Sequence, residues 1–218
     1  MAATGSAQGA LGILSLGDSY TIGERVDASE RWPAQLCTML AKQGLAVKAP
    51  QIIAKTGWTA DELEAELDSA DDCLIKPPYA LTTLLIGVND QYRGRSVEEF
   101  QLSFERLLDR AIGYAGLDPR RLLVLSIPDW GVTPFAAEQG RLGTIVARQI
   151  DEYNAVSRQL TEATGADYLD ITDLTREAAN NPALLTDDGL HPSAIDYQRW
   201  ARRASERLQA IGWPWANA

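Results

Sequence analysis

The chain has 218 residues, of which 45% are hydrophobic and 23% charged, enough for one globular domain with a substantial core and too evenly mixed for a fibrous or disordered chain. A formal net charge of −10 opposes binding to nucleic-acid phosphates and to anionic lipid, so neither a nucleic acid nor a membrane is expected as a partner. Two cysteines, Cys37 and Cys73, are too few for a disulfide framework, and a single histidine leaves no Cys/His zinc set; the expectation is no metal.

No apolar stretch is long enough to cross a bilayer. Residues 1–10 are small and polar, with no basic residue ahead of an apolar segment, and read as a flexible leader rather than a signal peptide. A cytoplasmic location is the corresponding expectation, unless that leader stands in place of a removed signal. Residues 11–218 are expected to form one domain, and nothing in them specifies an oligomeric state.

Apolar runs alternate with helical patterns from end to end. Leu11 to Leu16 is an apolar run of strand length that stops in Gly17-Asp18-Ser19. Trp32-Pro33 opens a helix with Leu36, Cys37, Met39 and Leu40, stopped by Gly44. Gln51 to Ala54 is a second strand, followed by the loop Lys55-Thr56-Gly57-Trp58. Thr59 with Glu62 fits a capping box for the next helix, which is expected to run to about Asp68.

Leu81 to Ile86 is a third strand ending in the polar turn Gly87-Val88-Asn89-Asp90. Ser96 then begins a helix whose Phe100, Phe104, Leu107, Leu108 and Ala111 share one face. Leu122 to Ile127 is a fourth strand, and Pro128 to Pro134 a loop rich in breakers. A long helix carrying Val146, Ile150 and Tyr153 ends at Gly165, and Asp167 to Ile171 is a fifth strand. A short helix near Leu174 to Ala179 and an irregular stretch from Asn181 to Pro192 precede the last helix, with Tyr197, Trp200, Ala204 and Leu208 inward.

This alternation predicts an α/β fold, a three-layer α/β/α sandwich around a flavodoxin-like five-stranded parallel sheet. Right-handed crossovers put every strand's carboxyl end on one edge, where the polar loops can meet.

Four polar loops carry chemistry, those after strands one, two and three and the one before the final helix. Ser19 is a candidate nucleophile, although Gly-Asp-Ser taken alone is equally a turn after a strand. A serine hydroxyl needs a base, and His191 is the only histidine. Asp188, three residues earlier, is placed to bond the imidazole Nδ1 and hold the tautomer whose Nε2 faces the serine. The backbone N–H groups of Ser19 and Gly57 and the side-chain amide of Asn89 are candidate oxyanion donors. Asp18 reads as a brace for the serine turn rather than as part of a triad. Trp58, Tyr92 and Trp130 are candidate pocket walls, and Arg93 reads either as a solvated side chain or as a site for an anionic group.

Gly17-Asp18-Ser19, Gly57, Gly87-Val88-Asn89-Asp90 and Asp188-Gly189-Leu190-His191-Pro192 resemble, in order, the four blocks of the SGNH, or GDSL-type, hydrolases. The likeness runs from about Ile13 to about Ile211, with Tyr20 as a departure where many members have leucine. It implies a serine esterase with a Ser19–His191–Asp188 triad, an oxyanion hole and an acyl-enzyme, needing no cofactor. The expected partner is a small-molecule ester, of short acyl or acetyl type. The alternatives are a lysophospholipase or thioesterase for longer chains, or a flavodoxin-like module that binds a small ligand without catalysis. Neither a Walker A sequence nor Gly-x-Gly-x-x-Gly follows the first strand, which weighs against the last.

Overall fold

The computed structural model describes residues 9–69 and 74–214; most of the expected leader, and Cys73, lie outside them. In chain order the elements are β1 (Ile13–Gly17), α1 (Ser19–Ile22), α2 (Trp32–Lys42), β2 (Gln51–Ala54), α3 (Ala60–Ser69), β3 (Leu81–Leu85) and α4 (Val88–Tyr92). They continue with α5 (Val97–Tyr114), β4 (Leu122–Leu125), α6 (Pro134–Glu138), α7 (Gly143–Thr164), β5 (Asp167–Leu169), α8 (Thr172–Arg176) and α9 (Ala194–Ala210). Among the described residues no helix is long and apolar enough to cross a membrane.

The five strands form one parallel sheet in the order β2-β1-β3-β4-β5. β1, β3 and β4 are buried along their whole length, as strands covered on both faces should be, and the buried Thr83 hydroxyl donates to Ser15 Oγ at 2.9 Å. The chain steps from β1 outward to β2 and then back across to β3. With right-handed crossovers this reversal puts α2 on one face, and α3, α5 and α7 on the other. α2 packs on α9, whereas α3 packs on α5 and α5 on α7. Trp32 and Trp200 are fully buried on the α2–α9 side, Phe100 and Phe104 on the α5 side.

The polar turns expected after β1 and β3 are each the start of a short helix. At the first, Asp18 caps α1, its Oδ1 accepting the Tyr20 N–H at 3.0 Å. At the second, Gly87 enters α4 with φ +122°. The capping box expected at Thr59 is half formed: Glu62 Oε2 accepts the Thr59 N–H at 3.0 Å, but Thr59 Oγ1 turns to Asp61. Asp90 Oδ2 accepts the Ala60 N–H at 3.0 Å instead, so the β3 loop caps the helix that follows the β2 loop.

Gly87 is confined by its backbone and by its neighbours, since a Cβ there would lie 2.7 Å from Phe100 Cε2 and 2.8 Å from Ile127 Cδ1. Gly87→Ala is expected to lower stability by about 3 kcal/mol through strain and overpacking. Urea unfolding measures this; a loss below about 1 kcal/mol would mean that the loop relaxes freely.

Candidate active site

The reversal between β1 and β3 opens a crevice at the strands' carboxyl ends, where open parallel sheets bind ligands. Gly17, the last residue of β1, pairs with Ala54 of β2 on one side and Leu85 of β3 on the other. The three loops that leave these positions carry Ser19, Gly57 and Asn89. All three residues, with His191, line one pocket of about 160 Å³. The sequence-predicted residues from both termini therefore meet.

His191 sits in the loop between α8 and α9, which is closed on itself. Thr186 N–H donates to the His191 carbonyl at 2.8 Å, and Ser193 N–H to the Leu184 carbonyl at 2.8 Å. Within it Asp188 Oδ2 accepts from His191 Nδ1 at 2.7 Å. Asp188 Oδ1 accepts from the N–H groups of Leu190 and His191, each at 2.9 Å, and from the Thr186 hydroxyl at 2.8 Å. Burial works to raise the Asp188 pKa, but these bonds outweigh it and hold the carboxyl at about 2. Asp188 is therefore ionised at neutral pH, and Nδ1 is the donor in its bond to His191. Nε2 is left as the free ring nitrogen.

Ser19 is the first residue of α1 and is almost fully buried. Asp18 beside it is completely buried, and its Oδ2 has no hydrogen-bond partner. Burial, opposed by the Tyr20 N–H and reinforced by Asp90, pushes the Asp18 carboxyl up to about 8. At neutral pH it is mostly protonated, so it braces the turn without setting a negative charge beside the serine.

Gly57 has φ +88°, and a Cβ built there meets nothing closer than 3.9 Å. The position demands glycine for its backbone, not for room. Asn89 Nδ2 donates to the Trp58 carbonyl at 2.8 Å, which orients the amide and leaves its second N–H for the pocket.

Tyr92 and Trp130 line the pocket as expected, their rings 5.3 Å apart edge to face. Trp130 Nε1 donates to Gln91 Oε1 at 2.7 Å, and its turn is held by Asp129, whose Oδ1 accepts the Gly131 N–H. Trp58 does not line this pocket. The reversal at Gly57 turns the next side chain outward, onto an open neighbouring groove shared with Lys55, Glu62, Glu66 and Arg93. Arg93 is neither solvated alone nor free for an anion: it bonds the Gly57 carbonyl and Glu62.

Sequence reasoning missed Phe135, Val88 and Leu190, which complete the apolar wall. Phe135 belongs to α6, whose signal was present: Thr133 caps the Ala136 N–H and Pro134 takes the first helical position. The Phe135 N–H also donates to the Gly189 carbonyl at 3.2 Å, tying that wall to the His191 loop.

A parallel α/β/α sandwich with an Asp-bonded histidine, a buried serine and amide groups in one crevice is the architecture of an ester hydrolase. The profile of the GDSL-like Lipase/Acylhydrolase family matches residues 15–212, which takes in the whole sheet after Leu14 and all four loops. The chain belongs to the GDSL-like lipase/acylhydrolase family and, with it, to the carboxylic ester hydrolases. No curated protein matches it in sequence.

Among solved structures it is similar to TesA, at 19% identity and TM-score 0.70, over 92% of this chain and 99% of that one. It is also similar to the psychrotrophic esterase EstA from Pseudoalteromonas sp., at 17% identity and TM-score 0.69, over 92% and 97%. A third is Axe2, an acetylxylan esterase from Geobacillus stearothermophilus, at 19% identity and TM-score 0.65, over 96% and 98%. At these identities the likeness establishes the fold.

Because folded Asp188 titrates below an unfolded aspartate, its bonds add stability above about pH 4 and lose it as pH falls towards 2. Asp188→Asn should therefore be less stable than the native chain by on the order of 2 kcal/mol at pH 6. Urea unfolding from pH 6 downward should show that gap narrowing below about pH 4; a gap independent of pH would exclude the carboxylate charge as its source.

Proposed function

We propose that the protein is a serine esterase that cleaves short-chain acyl esters through an acyl-enzyme. The observation that carries this reading is the 2.7 Å bond from His191 Nδ1 to an ionised Asp188 at the pocket that Ser19 also lines. In the proposed cycle His191 Nε2 takes the Ser19 proton as Oγ attacks the ester carbonyl. The oxyanion is held by the N–H groups of Ser19 and Gly57 and by the free N–H of Asn89. Collapse expels the alcohol, which receives the proton from His191, and water repeats the sequence to release the acid.

The pocket supports the acyl length in this reading. Its volume of about 160 Å³ is close to that of a cavity that holds benzene, and aromatic and aliphatic side chains wall it. A short acyl group fits such a space, while a long one would have to leave it across the adjoining groove, whose lining is charged. The same groove suits a polar alcohol, in keeping with the acetylxylan esterase among the structural relatives.

Ser19→Ala should abolish turnover and fluorophosphonate labelling while the circular dichroism spectrum is unchanged; hydrolysis at the native rate would remove Ser19 from the reaction. Asn89→Ala should lower kcat by about 10²–10³-fold. Across p-nitrophenyl esters, kcat/KM should fall by roughly tenfold or more from butyrate to octanoate. A rise over that interval would favour the long-chain lysophospholipase or thioesterase reading.

A further inference from the structure

Arg93 ends α4 four residues after Asn89, so the two side chains leave the same face of one helical turn. Each takes a backbone carbonyl of the β2 loop. Asn89 Nδ2 donates to Trp58 at 2.8 Å and Arg93 Nη2 to Gly57 at 2.6 Å. Consecutive carbonyls are thereby gripped from a single turn of helix.

The other arm of the guanidinium, Nη1, donates to Glu62 Oε1 at 2.9 Å. The second oxygen of Glu62 accepts the Thr59 N–H at 3.0 Å, at the entry to α3. Arg93 thus spans the loop from Gly57 to the helix that follows it. Its fork is committed to these partners, and it faces the neighbouring groove rather than the pocket.

Stability alone does not account for this arrangement. The Arg93 and Glu62 side chains are 43% and 40% exposed, and a pair so exposed adds only about 0–1 kcal/mol to folding. The carbonyl it grips is a special one. Gly57 lacks a Cβ and sits in the left-handed region, and among the described residues no backbone N–H donates to its carbonyl. The peptide group between Gly57 and Trp58 is held at its N–H by the Lys55 carbonyl at 3.2 Å and at its carbonyl by Arg93, and fixing that plane limits the swing of the Gly57 N–H across the shared Cα.

We propose that Arg93 is a positioning residue for the oxyanion donors, its guanidinium holding the Gly57 carbonyl so that the Gly57 N–H stays aimed into the pocket. This rests on the reading of Gly57 as a donor given above. Arg93 touches no reacting atom; it removes a reorganisation that the transition state would otherwise require.

The test compares Arg93→Met, which keeps bulk without a donor, with Arg93→Ala, which leaves space for added guanidinium. Both are assayed on p-nitrophenyl acetate, with the affinity of an alkyl boronic acid as a probe of the tetrahedral state. Expected are a kcat lower by about 10- to 100-fold with KM within about twofold, and a parallel loss of boronate affinity. Guanidinium chloride well below denaturing concentration should restore part of the activity of Arg93→Ala and none of that of Arg93→Met.

Native kcat in Arg93→Met, or a raised KM with kcat kept, overturns the proposal, the latter showing a substrate contact. So does a kcat loss in Arg93→Ala that guanidinium does not relieve. Should both variants fail to fold, Arg93→Lys decides: its ammonium cannot bridge Gly57 and Glu62 as a fork, so kcat should fall at constant KM, and native kcat overturns the proposal. Asn89→Ala, run alongside, separates the two claims. If it also keeps native kcat, the oxyanion reading itself fails; if it alone is impaired, only the role of Arg93 fails.

Discussion

The pairing of Gly17 with Ala54 on one side and Leu85 on the other is the constraint on which the site depends. It sets the ends of β1, β2 and β3 level with one another, so that three loops far apart in sequence leave the sheet at one place. Gly17 permits this closeness: a Cβ there would lie 2.4 Å from the Leu85 carbonyl oxygen. Parallel pairing alone brings loops to an edge; this register brings them to one pocket. His191 arrives by a different route, carried in on a loop closed by its own hydrogen bonds and anchored by α9, whose Trp200 and Tyr197 are buried against the sheet.

Charge is distributed in this crevice by burial as much as by residue type. Asp188, Asp18 and Asp90 stand beside or bond His191, Ser19 and Asn89, and their carboxyls are shifted in opposite directions. Asp188, rich in donors, is pulled down to about 2, whereas Asp18, buried with one unpartnered oxygen, is pushed up to about 8. Asp90 is pushed up by burial to about 6, with the Ala60 N–H and Arg95 opposing the rise. At neutral pH the negative charge of Asp188 lies against the imidazole, that of Asp90 is met by Arg95 at 3.2 Å, and Asp18 beside the serine carries little.

Much of this was legible in the sequence, for identifiable reasons. Strands buried on both faces are rich in apolar and β-branched residues, so Leu81 to Leu85, with Thr82 and Thr83 inside it, and the all-apolar Leu122 to Leu125 announced themselves, and crossover handedness then put their ends on one edge. Ser19, Gly57 and Asn89 stood at those ends, and His191 stood ahead of the last helix. The four- and five-residue helices α1, α4 and α6 were not legible by periodicity, being too short to show one. Each is set by its first residues instead: Asp18 capping Tyr20, Gly87 at positive φ, and Thr133 ahead of Pro134. The outward turn of Trp58 and the grip of Arg93 on Gly57 were hidden for another reason. Both depend on where backbone carbonyls point, and carbonyls carry no sequence identity.

The bond from the Phe135 N–H to the Gly189 carbonyl joins the apolar wall of the pocket to the loop that holds His191. The shape of the pocket and the placement of the imidazole are therefore not separate quantities in this scaffold. A change confined to the Phe135 ring reshapes the wall and leaves the joint intact, because the joint is made by main-chain atoms. Lengthening or shortening the segment around it shifts wall and imidazole together. In the proposed esterase, room for a bulkier ester is gained by replacing this side chain, with the length of the α6 turn held constant.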